Sequence, residues 1–313
     1  MRNIDAKFKA AKTAYDGGQP SLPACIDVAR ACLIKLDEEA DLRRFGDFRG
    51  QPNIEYWVAS SAGNISRPYR PELFVSGIGN FEYLILNLKN EIDAGELSNE
   101  TVDLFFYTAA TAFCLCYDIW KPKSRKTPGT FFEVLMGSFC RMRYPRFGLG
   151  KHVAIKSAAT TEDAVIDLDE DDAFEGASDE EVAAALEGNS VSTDLVIHND
   201  ETQRGAIIPL KITTRERIVQ PFAHQRILDS AYPDRFRSFL ACVSEVQRDD
   251  NTQTVKQICV PGTVSLFQKH LAKLSGLYYC DIPQRYAKTD MRAVINVKSF
   301  SEVFDDIDSW LNG

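Results

Sequence analysis

No two cysteines in this 313-residue chain are spaced C-x-x-C. Zinc ribbons and thioredoxin-like redox motifs need ligand pairs at that spacing, so neither is expected. The eight cysteines mostly sit in apolar runs such as FLACV and QICV. That is the setting of buried free thiols in a reducing compartment, and a cytoplasmic location is the expectation. Histidine is scarce, with 4 residues, and His152, His198 and His270 have no partner at metal-ligand spacing. The opening stretch MRNIDAKFKAAKTAYDGG has no apolar h-region, so export is not expected. Long apolar runs are missing as well. The most apolar stretch, Leu104 to Tyr117, is bounded by Asp103 and Asp118. It falls short of the roughly 20 residues of a bilayer-spanning helix and reads as a buried core helix. No membrane partner is expected, and no internal repeat is present.

What remains is ordinary globular material. Apolar residues make up 44% of the chain and charged residues 26%, which excludes a disordered or collagen-like polymer. The length suits about two domains of roughly 150 residues, enough to bury a core without staples.

The net charge of −9 conceals an uneven distribution. Between Glu162 and Glu187 stand twelve acids and no base. Without them, 33 acids face 36 bases, a balance of +3. The acidic segment, about 158–190, reads as a solvated mobile insert with a short helix at SDEEVAAALEG. A calcium loop would need regular acid alternation and a central glycine, which it lacks. Lying over a basic groove as a DNA mimic is a further reading. The bases cluster in KPKSRK (Lys121 to Lys126), RMRYPRFGLGKH (Arg141 to His152), TTRER and HQR. Such runs are solvated faces unless they converge in space, where they would contact phosphates.

Hydrophobic periodicity divides the chain. Residues 1–100 read as a mostly helical N-terminal region, with helices in PACIDVARACLIKLDEEADL and FEYLILNLKNEIDAG and a loop-rich stretch over 47–80. It would contact DNA or form a dimer interface. Residues 101–313 read as the second unit. It begins with two helices, ETVDLFFYTAATAFCLCYDIW and TPGTFFEVLMGSFCRMRYP, the latter with Pro and Gly at its start. Beyond the insert the period changes to that of strands. STDLVIHND and RGAIIPLKITT read as an antiparallel pair joined by a turn. Thr213 and Glu216 fit a capping box opening a helix over TRERIVQPFAHQRILDSA, with Pro221 in its early turns or kinking it. RFRSFLACVSEVQR and TVKQICVPGTVSLF read as strands, and SLFQKHLAKLSG and SFSEVFDDIDSWLNG as helices. The fold class is α/β, with a mixed central sheet flanked by helices.

The turn-linked strands carry the chemistry. Asp194 lies on the first and Lys211 on the second. A strand carboxylate can hold a hard divalent cation, which polarises a phosphodiester and activates water. A nearby lysine orients that water and offsets charge developing on the phosphate. The apolar neighbours of Lys211 suggest a mostly buried strand, where an unpaired lysine is costly. The bland alternative is a strand-edge salt bridge.

Over about residues 121–230 the sequence resembles the PD-(D/E)XK superfamily of type II restriction endonucleases. Within it, the sequence is similar to the EcoRII/NgoMIV-like group that reads CC/GG-containing sites. Thr193 stands where the usual motif has proline, and Pro209 where it has the acid before x-Lys. That group moves the acid to the following helix, carries an Arg-acid-Arg reading motif after the lysine, and has an acid on an early helix. The resemblance accordingly implies base reading by Arg215, Glu216 and Arg217. Arginine can hydrogen-bond O6 and N7 of guanine, and an acid can accept from N4 of cytosine. It implies metal ligation by Asp194 and Glu133, with Mg²⁺ as cofactor. At the place of the helix acid the chain has His224 and Gln225, either of which would complete the site. The function implied is Mg²⁺-dependent, sequence-specific cleavage of double-stranded DNA at a palindrome. A homodimer or larger homo-oligomer would match the palindrome's twofold symmetry, and a cognate DNA methyltransferase is expected in the same cell. The missing helix carboxylate motivates an alternative, a catalytically decayed DNA-binding protein on the same fold. An enzyme acting on RNA or single strands ranks lower, because few aromatic stacking motifs are evident.

Overall fold

The computed structural model describes residues 1–49, 51–155, 190–287 and 289–313. The acidic insert lies outside these residues, except for Ser190, which opens a strand.

The N-terminal helices are amphipathic or fully buried according to their neighbours. Helix α1 (Arg2–Asp16) buries Ile4, Phe8, Ala11 and Tyr15, a single stripe at helical spacing. Helix α2 (Leu22–Glu39) has proline in its first turn and buries Cys25, Val28, Cys32 and Leu36. Helices α3 (Ile78–Ala94), α4 (Asn99–Trp120) and α5 (Thr127–Arg143) complete the group. Ser98 caps α4, its side chain accepting from the backbone N–H of Thr101 at 3.2 Å. Packed against α2, α3, α5 and a strand, α4 is buried almost all round. Among the described residues it is the one helix long and apolar enough to cross a bilayer, and 83% of its apolar window is buried in this fold. Aromatic contacts bind the layer. Phe113 stacks on Phe131 at 4.3 Å and on Tyr117 at 4.4 Å, with Phe8 edge-on at 5.3 Å.

The hairpin of β1 (Asp41–Phe48) and β2 (Gln51–Ser61), with short β3 (Asn64–Ile65), corrects the loop-rich reading of 47–80. The hairpin is broken by register shifts between Arg44 and Gly46 and between Asp47 and Phe48. Those bulges erase the period-2 alternation that marks a strand in sequence. Its sheet is completed by distant β9 (Val246–Asp249) and β10 (Thr254–Gln257), in the order β3-β2-β1-β10-β9.

The larger, seven-stranded sheet contains β4 (Gly148–Ala154), β5 (Ser190–Asn199), β6 (Arg204–Ile207), β7 (Leu210–Lys211), β8 (Phe236–Cys242), β11 (Gly276–Tyr279) and β12 (Val297–Ser299). Its order is β12-β11-β8-β6-β5-β4, with β7 alongside β8. The β4, β5 and β6 pairs are antiparallel, and β6, β8, β11 and β12 run parallel. The mixed central sheet is therefore present, and alternate residues face opposite layers. Leu195, Ile197, Ala206, Ile208, Phe239, Ala241 and Tyr278 join the core of α1–α5 and the C-terminal helix Glu302–Asn312. Leu240, Cys242, Leu277 and Tyr279 join a second core with Ile218 and Phe222, while Val196 and Ile207 pack on Leu228.

Two further expectations are corrected. RFRSFLACVSEVQR is two strands in different sheets, broken at Val243–Glu245. The helix start is not at Thr213, because Thr214 is the residue that precedes the first turn. Arg215–Ile218 is a 3-10 turn leading into the helix Val219–Ala231, and neither has a side-chain cap. The Thr214 hydroxyl is engaged elsewhere, by Glu245. Pro221 falls in the first turn of the helix, where no intrahelical bond is lost.

Gly46 lies at the bulge where β1 meets the turn before β10. A Cβ there would sit 2.1 Å from the backbone oxygen of Gln253. Backbone cannot rotate away as a side chain can. Gly46→Ala is expected to destabilise the fold by about 1–3 kcal/mol, read as a lowered urea midpoint at unchanged slope.

Candidate active site

Proline at position 209 shapes the site. It has no N–H to donate. Before it, the N–H of Ile208 bonds to the carbonyl of Leu195 in the β5 ladder at 2.8 Å. After it, the N–H of Leu210 finds the Asp194 carboxylate, Oδ2, at 2.7 Å. The Lys211 ammonium donates to the same oxygen at 2.9 Å. The outer edge stays in register through β8, where Ala241 donates to Pro209 and Val243 to Lys211, both at 3.0 Å.

Glu133 reaches the same place from α5, ion-paired with Lys151 of β4. Burial pushes the Glu133 carboxyl above its ordinary range. Lys151 pulls it down, and the negative charge of Asp194 pushes it up again. Burial pulls the Lys151 ammonium down, but Glu133, Asp16 and Asp194 outweigh it, leaving it raised. Glu133, Lys151, Asp194 and Lys211 line one cleft of about 750 Å³. Arg217 lines it too, as do Lys12, Arg67, Arg125 and Lys126.

A second cleft of about 520 Å³ shares Arg67, Arg125, Ile212 and Thr213 with the first and adds Arg215 and Arg248. Arg215 and Arg217, both exposed, thus open onto adjoining hollows. The side chain of Glu216 lies outside the described residues. Arg67 is fixed by a bidentate pair with Asp118, Nε to Oδ2 at 2.7 Å and Nη2 to Oδ1 at 2.9 Å. The runs KPKSRK and TTRER therefore converge in space, together with Lys151 from RMRYPRFGLGKH.

The structure separates the two residues at the helix-acid position. His224 is close enough to the site for Lys211 and Asp194 to act on it. Burial lowers its pKa, Lys211 lowers it further, and Asp194 raises it in part. Gln225 faces another cleft. Its Nε2 donates to Asp229 at 2.7 Å and to the Phe236 carbonyl at 3.0 Å.

Lys151 is the site residue that the sequence reading left unassigned. Its signal was the basic-aromatic run ending at His152, but only the β4–β5 pairing shows that it meets Glu133. The donor set of Asp194 and Glu133 suits Mg²⁺. The carboxylates are hard oxygen ligands close enough for one charge to disfavour the other, a repulsion a cation relieves. Magnesium commonly takes one or two carboxylates and leaves its other positions to water and phosphate. Among the described residues no group of three or more His, Cys, Asp or Glu is placed to hold a metal.

Over 100% of its length the chain matches the crystal structure of the type IIP restriction endonuclease Kpn2I, covering 98% of that chain with a TM-score of 0.83 and 35% sequence identity. The chain belongs to the type IIP restriction endonucleases. A weaker likeness, to the complex of restriction endonuclease PspGI with its substrate DNA, has a TM-score of 0.39 and 14% identity over 74% of this chain and 91% of that one, and carries no weight. No family model and no curated protein matches the sequence. The restriction-endonuclease fold expected from the sequence is thus present.

Because the Lys211 charge holds down the titration of His224, removing it should move that titration upward. Lys211→Met is expected to raise the His224 pKa in ¹H–¹⁵N spectra of the imidazole. An unmoved His224 would mean that the two groups do not face one another.

Proposed function

We propose that this type IIP enzyme is a Mg²⁺-dependent endonuclease cutting double-stranded DNA at a specific palindrome containing CC/GG. One observation carries the reading. Asp194, Lys211 and Glu133 share a cleft walled by bases, in a chain matched end to end by a type IIP restriction endonuclease.

Asp194 and Glu133 would hold Mg²⁺. The bound ion supplies electrophilic polarisation of the scissile phosphate. Lys211, anchored on Asp194, orients the attacking water and stabilises charge building on the phosphate oxygens. Lys12, Arg125 and Lys126 offer cationic partners to flanking phosphates, a sequence-independent attraction. Arg215 and Arg217 would read guanine edges in the major groove, with Glu216 accepting from cytosine N4. His224, which feels the charges of Lys211 and Asp194, would stand in for the missing helix acid. Reading a palindrome calls for two copies related by a twofold axis, hence a homodimer or a pair of dimers. A cell carrying such an enzyme would need a cognate methyltransferase to protect its own sites.

The second reading is a catalytically decayed DNA-binding protein on this fold. It is favoured by the engagement of Gln225 away from the site and of Glu133 with Lys151. Digestion of unmethylated phage DNA with Mg²⁺, followed by sequencing of fragment ends, separates the two. Discrete bands with a shared palindrome at their ends support the endonuclease. Uncut DNA that is still bound supports the decayed protein.

Lys211→Ala is expected to cut at least about a hundredfold to a thousandfold more slowly, the cost of losing one preorganised donor to the transition state. It should bind the same duplex in Ca²⁺ with little change. Wild-type cutting by this variant would remove Lys211 from the chemistry.

A further inference from the structure

We infer that Glu245 is a positioning residue for sequence reading, its buried carboxylate clamping Thr214 and so aiming Arg215 and Arg217 at DNA. The inference rests on the DNA-reading role proposed above for these arginines.

Glu245 sits in the break between β8 and β9, where the chain leaves one sheet for the other. It is 0% exposed. Its Oε1 accepts the backbone N–H of Thr214 at 2.7 Å and the Thr214 hydroxyl as well. Thr214 is itself buried. The other oxygen, Oε2, is buried with no hydrogen-bond partner among the described residues. Burying a carboxylate is costly and is offset only by strong, well-aligned donors. Here the two short donors come from Thr214, the residue immediately before the arginine turn, and the Cys242 thiol adds a longer one to the same oxygen at 3.7 Å.

The next residue explains why a clamp is needed. Arg215 has φ +43°, the left-handed region that residues with a Cβ rarely occupy. Such strain persists only where surrounding contacts over-determine the backbone. Glu245 fixes the turn on its N-terminal side. Ile218, buried in the second core, fixes it on the other. The Arg215 guanidinium lies 3.4 Å from Oε1 of Gln247, two residues beyond the clamp.

The clamp is anchored in turn. Ser244 donates its hydroxyl to buried Asp281 at 3.0 Å, and its N–H to the Ile212 carbonyl at 3.1 Å. Asp281 also takes the Tyr56 hydroxyl of β2 at 3.2 Å. The corner that aims the arginines is therefore tied to both sheets. Side chains that recognise base edges must be held to a fraction of an ångström by such supporting groups.

The test uses full-length protein in Ca²⁺ with two labelled duplexes. One carries the sequence that wild-type protein selects from a randomised pool, and the other a scrambled version. Glu245→Ala and Thr214→Val are expected to lose about tenfold to a hundredfold in affinity for the selected duplex. Binding to the scrambled duplex at low salt should hold. Glu245→Gln, whose amide oxygen can accept the same two bonds, should discriminate within about threefold of wild type. Thermal melts identify any variant that fails to fold, and Thr214→Val keeps the test decisive if Glu245→Ala does. Equal losses on both duplexes, or wild-type discrimination by Thr214→Val, would overturn the inference. Wild-type protein that selects no sequence would overturn the DNA-reading role and this inference with it.

Discussion

A single carboxylate oxygen, Oδ2 of Asp194, accepts both the backbone N–H of Leu210 and the ammonium of Lys211. The first bond replaces the ladder contact displaced around Pro209. It lets the strand continue past a residue that cannot donate and keeps Lys211 at a defined height along β8. The second bond pairs the half-buried lysine with a carboxylate at 2.9 Å. Backbone geometry and site electrostatics are thus joined at one atom. This departure from the usual acid-x-Lys pattern places a stiff residue where an acid would stand, and the strand bends its pairing around it.

The rest of the fold brings other elements to that atom. Period-2 alternation in β5, β6 and β8 gives each sheet face its own core, so α5 and the helix Val219–Ala231 pack on the sheet from separate layers. From α5 comes Glu133, and from the other helix His224. The smaller sheet contributes Arg248 and Gln247 to the adjoining hollow. The basic groove is therefore a junction of two sheets and a helical layer, and its charge is assembled from segments far apart in sequence.

The sequence was most legible where signals are local. The helices α2 to α5 and the β5–β6 hairpin followed from periodicity and turn residues; Asp194 and Lys211 were expected on the two strands of that pair, but Lys211 lies past the break at Pro209, on β7 beside β8. The hairpin β1–β2 was not legible, because bulges at Gly46 and Phe48 break its alternation and its partner β10 lies some two hundred residues away. Thr213 and Glu216 matched a capping pattern, but the turn opens one residue later, at Thr214, whose hydroxyl is engaged by Glu245. The Glu133–Lys151 pair could not be read at all, since it depends on β4 lying against β5. Likewise no one-dimensional pattern distinguishes His224 from Gln225. One helical step of about 100° decides which of them faces the site.

The pairing of Phe48 with Val255 has a consequence for how the protein comes into being. Strand β1 is made some two hundred residues before the edge it needs. Until then the hairpin is an open sheet edge, and the wall that carries Gln247 and Arg248 does not exist. Contacts of such long sequence separation form late and slowly, since loop closure must precede the interactions that reward it. A ribosome-bound or truncated chain lacking the β9–β10 segment would therefore bring Asp194 of β5 and Lys211 of β7 together yet have no complete groove to place DNA against them.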